Sequence, residues 1–281
     1  MKARTRAHLF AGSAYDPTAA AGRIAWQRPS GLALIRRDGR DEPLLGSHPA
    51  LGGDRVAWIE GDRVVVADAA TSAPLERRDA PGAGVVAISP AHLTWRARDV
   101  AGTDRLWLDG ELVFEVAAPA ELGRPALSAD RLLFHVAGPA GGGLLELDLL
   151  TGTRRTLRSD PGAQLSNPTT DGSRLLYVRA TGRSQELRLG ILGPARPRDD
   201  ALLLEHPSAG QRDVEHERGR HRHRQGPDRP QPLPPRARPG VVETLWTTAL
   251  TPDTAYVTRL RAQRAAPRTA DILSVPAGQA G

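Results

Sequence analysis

The stretch LSNPTTDGSRLLYVRA, Leu165 to Ala180, decides how the chain is read. At its centre Asp171-Gly172 marks a turn, because Asp stabilises turns through its own backbone and Gly admits positive φ. Behind the turn, Arg174-Leu175-Leu176-Tyr177 sets a basic residue, two apolar residues and an aromatic at the head of a strand. The same order recurs in Arg23-Ile24-Ala25-Trp26, Arg55-Val56-Ala57-Trp58, His92-Leu93-Thr94-Trp95 and Arg131-Leu132-Leu133-Phe134. Thr254-Ala255-Tyr256 is a looser sixth example. The five well-matched aromatics are spaced by 32, 37, 39 and 43 residues in a chain with only 4% aromatic residues. A near-regular period of that length is the mark of a repeated supersecondary unit.

Inside each unit the period is two. RVAWIE is followed by Gly61-Asp62 and RVVVADA, and RLWLDGELVFEV carries Asp109-Gly110 between two apolar runs. Such a dipeptide suits a tight hairpin with positive φ at both central residues. GLLELDLLTGTRRTLRS alternates through Leu145, Leu147 and Leu149, turns at Thr151-Gly152 and leaves as a further strand. Turn sequences precede the aromatics at 89–92 (SPAH), 128–130 (SAD), 170–173 (TDGS) and 251–253 (TPD), and helix periodicity is hard to find. Roughly four antiparallel strands per forty residues is the blade of a β-propeller. The fold class expected is therefore all-β: a propeller of six blades in a single domain over residues 1–281.

LSNPTTDGSRLLYVRA, PALSADRLLFHVAG, ALTPDTAYVTRL and LDLLTGTRRTL resemble the TolB-type, WD40-like repeat. In that repeat a Ser-Pro-Asp-Gly-like turn opens an aromatic-bearing strand and an Asp-x-x-Thr-Gly turn closes a later hairpin. The resemblance covers about residues 20–206 and 244–276, and AAAGR and LGGDR, ahead of the first two aromatics, lack the Ser-Pro. It implies the blades of a propeller, a repeat that serves many roles. Trp26, Trp58, Trp95, Phe134, Tyr177 and Tyr256 are expected to pack between neighbouring blades, with ligand stacking as the alternative. Residues 6–12, RAHLFAG, are candidates to complete the last blade, which ADILSVPA leaves one strand short.

Residues 207–240 break the pattern. Eight arginines against Asp213, Glu215, Glu217 and Asp228 put +4 of the chain's +6 into this segment. It falls between complete sets of strands, so a disordered insertion is expected, at little cost to folding because loop-closure entropy grows only logarithmically. A nucleic-acid arm would need aromatics to stack on bases, which are missing. His216, His221 and His223 match no standard metal spacing and lie among arginines. A Pro-rich docking ligand and a local reading-frame shift in GC-rich DNA remain alternatives.

With that segment set aside, the charge is nearly balanced, which argues against nucleic acid as a partner. Of 38 basic residues only Lys2 is lysine, as an arginine-favouring coding bias would give. The absence of cysteine excludes disulfides, thiolate catalysis and Cys-based zinc sites. No apolar run reaches signal-peptide or membrane-span length, and a monomer is expected; the compartment stays open, a misassigned start being able to hide a signal. Nucleophile-elbow, P-loop, H-E-x-x-H and EF-hand motifs do not occur, and GPAGGGLL at 138–145 reads as a hairpin connection. Asp54, Asp130 and Asp171 read as turn residues. No catalytic, cofactor or metal residue is assigned. The leading reading is a non-enzymatic protein- or peptide-binding propeller. A hydrolase or lactonase with a metal in the central channel is the alternative, and a spacer module the third.

Overall fold

The computed structural model describes residues 6–10, 14–139, 141–182, 184–196, 199–207, 242–263 and 266–277. Every sheet is small and antiparallel, and six of them stand in a ring. After β1 (Arg6–Phe10), the first blade holds β2 (Tyr15–Ala20), β3 (Arg23–Gln27), β4 (Ala33–Arg37) and β5 (Arg40–Leu44). The second holds β6 (Ser47–Gly52), β7 (Arg55–Glu60), β8 (Arg63–Asp68) and β9 (Pro74–Asp79). The third holds β10 (Ala83–Ile88), β11 (Leu93–Arg98), β12 (Asp104–Leu108) and β13 (Glu111–Val116).

In the fourth blade the first strand is split into β14 (Glu121–Leu122) and β15 (Ala126–Leu127). Both halves pair with β16 (Arg131–Gly138), which is followed by β17 (Gly141–Asp148) and β18 (Arg154–Asp160). The fifth holds β19 (Gln164–Thr170), β20 (Arg174–Ala180), β21 (Ser184–Ile191) and β22 (Ala201–Pro207). The sixth is built from β23 (Val242–Leu250), β24 (Thr254–Gln263) and β25 (Ala266–Pro276). Its fourth strand is β1 (Arg6–Phe10), antiparallel to β25 with Arg6 opposite Ser274. The N-terminal segment thus closes the ring, as the missing strand in the sequence required.

First strands touch first strands around the ring, and β23 returns to β2, so these strands line the central channel. The rest of each blade extends outward. Between every adjacent pair of blades lies one apolar cluster. Trp58 packs among Ala25, Ile35 and Leu44 of the blade before it, and Trp95 packs among Ala57, Val64 and Val66 in the same way. Trp26, Phe134 and Tyr177 repeat the arrangement, and all five rings are buried.

Tyr256 departs from it. The register of β23 on β24 sets Leu250 opposite Ala255, where the fifth blade has Thr170 opposite Leu175. The position of Tyr177 therefore falls to Val257, and Tyr256, one residue earlier, turns to the other face and packs half-buried against the first blade. Strand alternation explains the shift, since a displacement of one residue exchanges the faces.

The basic residue heading the repeat has its own task at the turn. Arg23 pairs with Asp54 at 3.7 Å and Arg55 Nη1 donates to Pro90 O at 3.1 Å. Arg174 donates to Thr251 O, Pro252 O and Ala277 O at 3.1, 2.8 and 2.9 Å. In each case the aromatic faces the preceding blade and the arginine ties to the next. The Asp109-Gly110 hairpin has φ of 52° and 100°, as its tight turn demands. GPAGGGLL differs from a plain connection, because Gly141 to Gly143 already belong to β17. The expected insertion lies outside the described residues, between Pro207 and Val242.

Candidate functional site: the mouth of the central channel

Five of the six first strands carry a register shift near their entry to the channel, and in the fourth blade the strand is interrupted there instead. At this level stand Asp16-Pro17, His48-Pro49, Arg124-Pro125 and Asn167-Pro168. Proline cannot donate to the ladder, so it is tolerated where a bulge releases the pairing. Asp16, His48 and Asn167 take φ of 61°, 51° and 51°, the left-handed conformation, which turns their N–H groups away from the strand ladder.

Each of those N–H groups is satisfied by a side chain of the preceding blade. His48 N–H donates to Gln27 Oε1 at 2.9 Å, and Asn167 N–H donates to His135 Nδ1 at 3.3 Å. Asp16 N–H lies 3.2 Å from both Thr247 Oγ1 and Thr258 Oγ1. Gln27, His135 and Thr258 all sit directly after the Trp26, Phe134 and Val257 positions. Leu245 N–H is met in the same way by Gln185 Oε1 at 2.7 Å.

The side chains at this level converge. Arg124 forms an ion pair with Asp16 of the first blade, which lies opposite the fourth across a ring of six. Its Nη2 also donates to Pro49 O at 3.2 Å. His48 Nδ1 lies 3.1 Å from Asp16 Oδ2, so neutral His48 carries its proton on Nδ1. Burial draws Arg124 down to about 10, which leaves it charged at neutral pH. Burial, with the Arg96 charge second, lowers His48 and takes His135 down to about 4, so both rings are neutral at pH 7. His135 accepts at Nδ1 and consequently holds its proton on Nε2.

First-strand residues of all six blades, Ala19, Ala50, Ala87, Ala126, Thr169 and Ala249 among them, line a cavity of about 60 Å³ that Arg124 also borders. That is room for a few waters, each needing ~10–15 Å³ of such volume. A divalent cation is poorly served here. Asp16 is already neutralised by Arg124, and Arg96 adds a second positive charge. No group of three or more His, Asp or Glu able to hold a metal occurs among the described residues. His216, His221 and His223 lie outside them.

Sequence reasoning assigned no residue to this site, yet a signal existed. The polar-Pro dipeptides begin ten residues before Trp26, Trp58, Phe134 and Tyr177, a second periodicity in phase with the first. In the third and sixth blades the same place holds Val85 and Thr247.

No protein-family model matches the chain, and no curated protein matches it. Many solved structures do. TolB from Acinetobacter baumannii is similar over 92% of this chain and 64% of its own, at 14% identity and a TM-score of 0.52. An acylaminoacyl peptidase from Pyrococcus horikoshii is similar over 89% and 43%, at 11% identity and 0.54. A gluconolactonase from Xanthomonas campestris is similar over 96% and 88%, at 14% and 0.51. The chain has the six-bladed propeller fold that the TolB-type, WD40-like repeats implied. It spans less than two thirds of the TolB and peptidase chains.

Proposed function

We propose that this protein is a non-enzymatic binding scaffold that recognises a peptide or a peptide segment of another protein at the polar mouth of its channel. The likeness of fold extends to a peptidase and a gluconolactonase as well as to TolB, so it does not choose between binding and hydrolysis. The chemistry of the mouth favours binding. One observation carries the reading: the Arg124–Asp16 pair bridges opposite blades across the channel, and Arg124 borders the cavity that the six first strands line. A ligand would be read at the rim, by side chains fixed on bulges, and would not enter the channel. His48, with a third of its side chain exposed, is the accessible edge of that rim.

The test is selection of binders from a random peptide library on immobilised protein, followed by solution titration. Peptides that bind with one-to-one stoichiometry and lose affinity on His48→Ala support the reading. Stoichiometric divalent metal in the purified protein, together with lactone or ester hydrolysis, would replace it with the hydrolase alternative.

A further inference from the structure

At the mouth, the side chains of Asp16 and Arg124 are 5% and 11% exposed and spend their charges on each other, whereas that of His48 is 33% exposed. Its ring is also fixed in place. Nδ1 lies 3.1 Å from Asp16 Oδ2, the residue's own N–H donates to Gln27 Oε1 at 2.9 Å, and the next carbonyl, Pro49 O, accepts from Arg124 Nη2 at 3.2 Å. Because Nδ1–H is committed to the carboxylate, the neutral ring keeps its free lone pair on Nε2. Nε2 has no partner among the described residues and, unlike Nε of Arg96, is not a buried atom. The rim therefore shows a ligand one acceptor that is already oriented.

The charges around the ring decide which donor suits it. Asp16 on β2 faces Nδ1, Arg124 between β14 and β15 shares that carboxylate, and Arg96 on β11 adds a positive charge. Burial, with Arg96 second, opposes a proton on Nε2. An ammonium group docking on the same lone pair meets the same opposition, since it brings the same charge to the same atom. A carboxylate meets a lone pair with no proton between them. A neutral N–H or O–H meets neither obstacle.

We propose that His48 Nε2 is the specificity-determining acceptor of the rim and selects a neutral N–H or O–H donor of the peptide over an ammonium group or a carboxylate. This rests on the peptide-binding reading and names the chemistry it selects. A backbone amide and the side chain of Asn, Gln, Ser, Thr or Trp offer the same kind of donor, and the test separates them.

The probes are binders selected from a library of acetylated, amidated peptides made without His, Asp or Glu. Fluorescence anisotropy at fixed ionic strength reads the affinity as each position is N-methylated in turn and each polar side chain is replaced by an apolar one of similar size. An N-methyl group that costs about tenfold or more assigns a backbone N–H, and a side-chain replacement that costs as much assigns a side-chain donor. That loss should vanish in His48→Ala, which has no acceptor left to satisfy. His48→Gln, whose Oε1 stands in for Nε2, should keep part of the affinity. Acidification from about pH 7.5 to about 5 should weaken binding to the unaltered protein, because the proton taken up by Nε2 competes with the donor of the ligand. Should His48→Ala not fold, His48→Gln and the direction of the pH profile still decide. Binders in which no single donor matters, a loss that persists unchanged in His48→Ala, or binding that strengthens on acidification would overturn the donor assignment and leave peptide binding standing. A library with no binders would overturn both.

Discussion

Among single residues, Arg158 and Asp200 carry the most concentrated electrostatics. Arg158 is fully buried and places Nε and Nη2 on the two Asp200 oxygens at 3.0 and 3.1 Å. Its other N–H groups reach Leu157 O, Gly193 O and Ile191 O, so all five donors are used. Tyr177 OH donates to Asp200 Oδ2 at 2.9 Å, and burial holds the phenol well above its ordinary pKa. Removing one partner strands the other charge, so Asp200→Ala should cost about 3–5 kcal/mol in urea unfolding. Tyr177→Phe should cost about 1 kcal/mol, the worth of one hydrogen bond. His135 gives a pH signature. Its folded pKa, about 4, lies below the unfolded value of 6.5, so the unfolded chain takes up the proton first and stability falls as pH drops from 6.5 through 4. Between pH 7 and 4.5, His135→Gln should lose about 2 kcal/mol less than the unaltered protein. The aromatic positions were legible in the sequence because aromatics are scarce and periodic. The Arg158–Asp200 pair was not, since its members lie 42 residues apart in different blades and neither belongs to the repeat.

At the level of strands, hairpins were the readable part. Alternation and turn dipeptides placed β7, β8, β12 and β13 directly, whereas the bulges went unread because an Xaa-Pro pair looks like an ordinary break until its spacing to the aromatic is measured. The Tyr256 shift shows the same limit: the aromatic marked the right strand, but register, fixed by pairing with β23, decided its face. Trp58→Ala and Trp95→Ala each remove a ring buried between blades and should destabilise by about 3–5 kcal/mol, measured by chemical denaturation. Near-neutral effects at both would put those rings outside the core. Deleting residues 210–239, which spares the flanking β22 and β23, should leave a single cooperative transition, because both blades have their strands without it.

For the molecule as a whole, the ring depends on β1 joining β25, the contact that couples the two ends of the chain. Six apolar interfaces then close on one another, and the polar mouth acquires its geometry because opposite blades are held at a fixed separation. The chain has no native cysteine, so a pair introduced across this contact reports on it alone. The decisive measurement is disulfide formation in the Arg6→Cys, Ser274→Cys double variant, at two residues paired in the β1–β25 register. Mild oxidation should give a monomeric cross-linked chain with no free thiol and a higher Tm than its reduced form. Two thiols that stay reactive to alkylation under the same oxidation, in a protein that unfolds cooperatively, would contradict a ring closed by its N-terminal strand.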